Sequence, residues 1–149
     1  MSGLVIRPIE AADEADWRRL WTAYLMFYET VLPETVYAST FARLTSGAQG
    51  EFRGFLALVD GQPVGLTHYV FHRTCWAVGD SCYLQDLFAD PTVRGRGIGR
   101  ALIEAVYAAA EAQGAAKVYW LTQEFNHTAR QLYDRIAAKT PFIVYSKAL

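Results

Sequence analysis

Residues 81–100 read SCYLQDLFADPTVRGRGIGR, and the run ALIEAVYAAAEAQG follows at once. Three glycines, Gly95, Gly97 and Gly99, fall at alternate positions and interleave with Arg94, Arg96 and Arg100. A strand-like segment stopped by Pro91 precedes them, and an amphipathic, helix-like segment follows. A strand that passes through a glycine-rich turn into a helix presents unpaired backbone N–H groups. The first helical turn leaves its donors without partners, and the aligned peptide dipoles add partial positive charge there. Glycine lets the backbone approach an anion and adopt conformations closed to other residues. Arginine adds charge-assisted contacts. The segment therefore predicts a pyrophosphate site. A tight connector with solvated arginines would need one glycine, not three.

The other elements arrange themselves around this turn. LVIRPI reads as a first strand. Acidic Asp13, Glu14 and Asp16 suit a first helical turn, after which Trp17, Leu20, Trp21, Tyr24, Leu25 and Tyr28 recur at helical spacing. A second helix is predicted over 34–45. FRGFLALVDGQPVGLTHYVFHR reads as a hairpin about Asp60-Gly61, SCYLQDLFAD as a further strand. A helix over 99–113 is closed by Gly114, KVYWLTQ is a strand, and Asn126 caps the helix HTARQLYDRIAAK. PFIVYSKAL is predicted as a last strand. The order β-α-α-β-β-β-α-β-α-β predicts an α/β (α+β) fold, a mixed, mainly antiparallel sheet with helices on both faces. At 149 residues with 52% apolar side chains, one domain over 1–149 is expected to bury a sufficient core.

Charge narrows the partners. Lys+Arg is 14 against Asp+Glu 15, so the basic excess of a nucleic-acid or membrane-surface binder is missing. No apolar run is long enough for a bilayer, and the first residues lack a signal-peptide core, so a cytoplasmic chain is expected. Two cysteines supply neither a disulfide framework nor a zinc site. Cys75 and Cys82 flank the turn-like AVGDS and are expected to be reduced half-buried thiols, and no metal is expected.

GRGIGR matches neither the dinucleotide spacing GxGxxG nor the ATP loop GxxxxGK[ST]. The pattern R-x-x-G-x-G (Arg94, Gly97, Gly99) after LFADP resembles the acyl-CoA signature of the GNAT superfamily of N-acyltransferases. NHTARQLY, from Asn126 to Tyr133, resembles the superfamily's N-x-x-A-x-x-L/F-Y helix. YLQDLFADPTVRGRGIG is most similar to the diamine/polyamine and yeast histone/polyamine acetyltransferase-like group. The resemblance implies a GNAT fold and acetyl-CoA as co-substrate. It places the cofactor against Leu87, Phe88 and Ala89, the loop Arg94, Gly95, Arg96, Gly97, Ile98, Gly99 and Arg100, and Asn126 and Tyr133. It implies transfer of an acetyl group to the primary amine of a small molecule, polyamine or amino-acid-like, by direct attack in a ternary complex. It also implies a homodimer paired through C-terminal strands. Two departures stand out. Gln85 occupies the place of a glutamate proposed as base in the diamine enzymes, and the usual pair of C-terminal strands is abbreviated. A protein acceptor and a non-catalytic CoA sensor therefore stay open as alternatives.

Chemistry assigns further roles. A lysine-like amine has a pKa near ~10.4, so about one molecule in 10³ is neutral at pH 7, and the site must supply a base or desolvate the amine. Asp86, on the strand, and Glu124, at the end of the next strand, are the acidic candidates to hold or deprotonate a cation. His68 and His72 share one strand face by period two and read as structural or as a base. The resemblance makes Tyr133 the acid that protonates the departing thiolate, while Leu132 and Ile136 beside it equally allow a core aromatic. Tyr24 and Tyr28, near Glu29 and Glu34, are the aromatics singled out for an amine acceptor.

Overall fold

The computed structural model describes residues 3–93 and 95–149. Among these, five strands lie in the order β1 (Leu4–Pro8), β2 (Arg53–Val59), β3 (Gln62–His72), β4 (Ser81–Ala89) and β5 (Lys117–Tyr119). All neighbours are antiparallel except β4 and β5, which are parallel. The helices are α1 (Glu14–Phe27), α2 (Glu34–Leu44), α3 (Ile98–Ala112) and α4 (His127–Ile136). This is the mixed, mainly antiparallel sheet expected from the order of elements.

Local chemistry explains the joins. Asp60 and Gly61 both take positive φ, 50° and 80°, as a two-residue hairpin turn requires. Asp13 sits just before α1, where the Arg7 guanidinium grips both its carboxylate oxygens at 2.8 Å and holds its pKa down. Trp17, Leu20, Trp21 and Leu25 of α1 join Phe41 and Leu44 of α2 against Leu56, Leu58 and Leu66 on one sheet face. Ile98, Leu102, Ile103, Val106 and Ala110 of α3 pack on the other face, against Ala57, Val64, Tyr69 and Leu84 among others.

Two irregularities in β4 position everything that follows. His68 faces Asp86 while Tyr69 faces Leu84, so Gln85 is an extra residue, a β-bulge. Because side chains alternate, that one residue puts Leu84 on the α3 face and Asp86 beside Trp17 and His68 on the α1 face. Thr67 anchors the bulge, its hydroxyl donating to the Asp86 carbonyl at 2.7 Å. The second irregularity is a divergence. β4 and β5 pair only from Ser81↔Lys117 to Tyr83↔Tyr119, and beyond that the strands part.

Three expectations need correction. The strand predicted over 117–123 ends at Tyr119. α4 ends at Ile136, short of 139, because Ala137 turns extended at φ −153°. PFIVYSKAL forms no strand: Phe142, Ile143, Val144 and Tyr145 are each at least 65% exposed. A β-forming run needs a strand edge to satisfy its backbone, and a three-residue β5 offers almost none. Cys75 is exposed and Cys82 buried, and neither is bonded; burial pushes the Cys82 thiol up to about 11.

The contact of α3 with the sheet tolerates no added atom at Gly65. A Cβ there would stand 2.8 Å from the Phe88 carbonyl oxygen and 3.1 Å from Ile98 Cγ2. Gly65→Ala is expected to push the first turn of α3 off β4 and to cost about 1–3 kcal/mol, the usual range for overpacking. Thermal unfolding followed by circular dichroism checks it: the midpoint should fall by several degrees, and an unchanged midpoint contradicts the packing.

Candidate active site

Where β4 and β5 part, a cavity of about 730 Å³ opens between the sheet, α1, α3 and α4. Leu87, Phe88 and Ala89 line it from β4, whose edge here is free of β5. Gly95, Gly97, Ile98, Gly99 and Arg100 line it from the loop and the start of α3. Gly95 and Gly97 take φ of 81° and 71°, and Gly97 is the N-cap of α3. A Cβ at either would meet nothing within 4 Å, so backbone conformation, not crowding, calls for glycine. No side chain caps α3, so its first-turn donors and its positive dipole end are left for an anion. Acetyl-CoA fits this cradle in its pyrophosphate. Arg100 pairs with Glu104 at 2.7 Å, Arg96 is exposed and outside the lining, and Arg94 lies outside the described residues.

Helix α4 forms the opposite wall with Asn126, Ala129, Leu132 and Tyr133. The Asn126 carboxamide oxygen caps the helix by accepting from the Ala129 N–H at 3.5 Å. Tyr133 is half-buried, edge-on to Trp120 with ring centroids 5.4 Å apart. Burial, and then the nearby Tyr28 phenol, raise its pKa, so it stays a protonated donor. Its hydroxyl has the chemistry to donate to a thiolate, and its ring also packs in the core cluster.

At the α1 end, Tyr24 and Tyr28 line the cavity with ring centroids 5.1 Å apart. Tyr24 also stacks on Trp21 at 5.1 Å and stands edge-on to Phe88 at 6.3 Å. Asp86 lies outside the lining, half-buried, with Oδ2 3.0 Å from His68 Nδ1. Trp17 Nε1 donates to the other ring nitrogen, His68 Nε2, also at 3.0 Å. Burial first, then the Asp86 carboxylate and the Tyr28 phenol, raise the Tyr24 hydroxyl's pKa, so Asp86 is felt in the cavity through Tyr24. Gln85 is exposed in the cavity, where its amide offers no base.

The structure does not bring Glu124 into the lining. Its side chain is exposed, and its carbonyl accepts from Arg130 at 2.6 Å. His72 is exposed too, its Nε2 2.7 Å from the Tyr119 hydroxyl. Phe27, another aromatic of α1, lines the cavity too, and sequence reasoning missed Trp120, Leu121 and Thr122 beyond β5, which also line it. The sequence carries no signal for these three, because the run KVYWLTQ reads as one continuous strand and only the structure ends it at Tyr119. The Trp17–His68 pair, 51 residues apart, has no signal either. Among the described residues no group of three or more His, Cys, Asp or Glu could hold a metal ion, and no helix is long and apolar enough to cross a membrane.

Comparison with known proteins agrees with this fold. The model of the Acetyltransferase (GNAT) family matches residues 15–137. The D-amino-acid N-acetyltransferase HPA3 of Saccharomyces cerevisiae is 38% identical over 146 residues, covering 97% of this chain and 90% of that protein. The thialysine N-epsilon-acetyltransferase of Caenorhabditis elegans is 28% identical over 83 residues, 56% of this chain and 51% of that protein. Among solved structures, an aminoglycoside acetyltransferase from an uncultured soil metagenomic sample superposes with a TM-score of 0.83 at 19% identity, over 99% of this chain and 97% of that one. The ribosomal-protein-alanine N-acetyltransferase of Brucella melitensis biovar Abortus 2308 superposes at 0.78 with 21% identity, over 98% and 99%. At such identities the superpositions establish the fold alone. The family model spans most of the chain and the yeast relative nearly all of it, and on that ground the chain belongs to the GNAT family of N-acetyltransferases.

Proposed function

We propose that this enzyme transfers the acetyl group of acetyl-CoA to the primary amine of an amino-acid-like small molecule, by direct attack with both substrates bound. One observation carries the reading: a single cleft of about 730 Å³ has chemically opposite ends. One end is an uncapped helix N-terminus behind left-handed glycines; the other is the Tyr24–Tyr28 pair with Asp86 beneath it. The name of the yeast relative, a D-amino-acid N-acetyltransferase, favours an amino acid over a polyamine.

The donor supplies an activated acetyl thioester. The start of α3 and its loop hold its pyrophosphate, and the free edge of β4 at Leu87–Ala89 gives backbone groups to the amides of its arm. Tyr24 and Tyr28 receive the ammonium by cation–π and hydroxyl contacts, with the Asp86 charge below. Only the neutral amine attacks. With Gln85 unable to take a proton, Asp86 is the acceptor of it, reached through the Tyr24 hydroxyl. Tyr133 donates to the departing sulfur. Steady thiol release with D-amino acids, set against L-amino acids, diamines and basic peptides, tests the acceptor. Turnover on diamines or peptides alone overturns it.

We also propose that two copies pair through residues 141–149. That apolar, β-forming run has no strand partner among the described residues and lies exposed.

Three outcomes are expected. Gly97→Asn keeps the left-handed backbone that Asn tolerates, whereas Gly97→Asp of the same shape sets a carboxylate at the pyrophosphate. Calorimetry should find CoA bound by the first variant and lost in the second; equal affinities count against the cradle. On the best acceptor, Tyr133→Phe should lower kcat by about 10²–10³-fold with acetyl-CoA affinity nearly kept, the usual gain from a general acid. A kcat within about twofold of wild type leaves Tyr133 as packing. Light scattering should give a dimer for the full chain and a monomer after truncation at 140; a monomeric full chain defeats the pairing.

A further inference from the structure

We propose that Trp17 is a positioning residue for the acceptor end of the site: its indole N–H fixes His68 in the neutral tautomer protonated at Nδ1, which makes His68 a standing donor to Asp86. The inference rests on the reading that Asp86 serves the acceptor amine.

The argument is one of donors and acceptors. An indole nitrogen can only donate. Trp17 Nε1 is 3.0 Å from His68 Nε2, so Nε2 must present its lone pair. The ring's single proton is then on Nδ1, 3.0 Å from Asp86 Oδ2, and a carboxylate oxygen accepts it. The opposite tautomer would set N–H against N–H at Trp17 and a lone pair against a carboxylate at Asp86. The Trp17 contact is out of water, with Trp17 0% and His68 2% exposed, and the Asp86 contact is part-buried, so an unmade hydrogen bond is costly at both. An imidazolium would likewise have to give up the Trp17 bond. His68 therefore has no free lone pair for an incoming amine, and the base role left open for it by the sequence passes to Asp86.

The surroundings prevent the imidazole from turning away. Trp17 lies against Phe41 at 5.2 Å between ring centroids, and the Trp21 ring lies 5.0 Å from that of His68. The bulge at Gln85 sets Asp86 opposite His68, and Thr67 holds the Asp86 carbonyl. The carboxylate is thus gripped from the core side, and its charge reaches the cavity through Tyr24. Trp21 provides the contrast. Its indole nitrogen is buried beside the same histidine yet meets no acceptor, so a change at Trp21 alters packing without touching the tautomer.

The chain has three histidines, so side-chain ¹⁵N NMR resolves His68, assigned by its loss in His68→Asn. Wild type should show Nδ1 protonated and Nε2 bare. Trp17→Phe should mix the two tautomers, and Trp21→Phe should not. In kinetics, His68→Leu should lower kcat/KM for the acceptor by about 10–100-fold, the range for a lost hydrogen bond to a charge, with the KM for acetyl-CoA unchanged. His68→Asn, whose amide NH₂ stands where Nδ1 stood, should recover most of that loss. A wild-type proton on Nε2, or a Trp17→Phe spectrum like wild type, overturns the proposal. Should Trp17→Phe fail to fold, the contrast between His68→Leu and His68→Asn decides alone: equal losses overturn it. Wild-type acceptor kinetics in His68→Leu alongside impaired Asp86→Asn refute the positioning role alone. Wild-type kinetics in both refute the acceptor reading of Asp86 and the positioning role with it.

Discussion

Strand β4 is paired along one edge and abandoned along two thirds of the other, and the site exists because of that. Its antiparallel ladder with β3 runs to Ala89, while its parallel ladder with β5 stops at Tyr83. A parallel neighbour demands a crossover connection, and here the crossover is α3. The helix must therefore begin at the C-terminal end of β4, just where β5 has drawn away. An open strand edge and an uncapped helix N-terminus are brought together by topology before any side chain is chosen. The glycines then only make that junction bare enough for an anion.

The bulge at Gln85 does the complementary work on the acceptor side. Without it, alternation would send Leu84 and Asp86 to one face of the sheet. With it, Leu84 seals the α3 core while Asp86 meets His68 under α1. Gln85 shows its amide to the cavity, whereas Asp86 stays out of the lining and acts on the Tyr24 hydroxyl by its charge. In the proposed reading this separates contact from charge: aromatic rings touch the acceptor, and the carboxylate acts on it through a phenol.

What could be read from the sequence was local. The Gly95–Gly99 turn, the Asp60-Gly61 hairpin, the Asn126 cap and the helical spacing of Trp17 and Trp21 each announce themselves within a few residues, and each falls where expected. What could not be read depended on register or on an absent partner. The bulge shifts pairing by one residue without any glycine or proline to mark it. The Trp17–His68–Asp86 chain joins three elements through that shift. The last nine residues carry every compositional mark of a strand, yet strand propensity describes a fit to a neighbour, and β5 gives them only three residues to fit. Glu124 looked suitable by charge and by its place after a strand, but the strand had already left the sheet, and its side chain went with the turn to solvent.

The phenols at the two ends of the cavity are also shifted in the same sense by one physical cause. Burial disfavours charge on any group that can shed it, and both Tyr133 and Tyr24 are raised chiefly by burial. A phenol held neutral at the thioester end is useful as it stands, because a departing thiolate needs a donor. At the acceptor end the proposed reading asks for a carboxylate that meets an ammonium and then takes its proton. Asp86 Oδ2 lies 3.0 Å from His68 Nδ1, and the other nitrogen of that ring accepts from Trp17. In that reading the aromatic core of α1 is more than filling: through one indole N–H and one imidazole it reaches the carboxylate assigned to the acceptor.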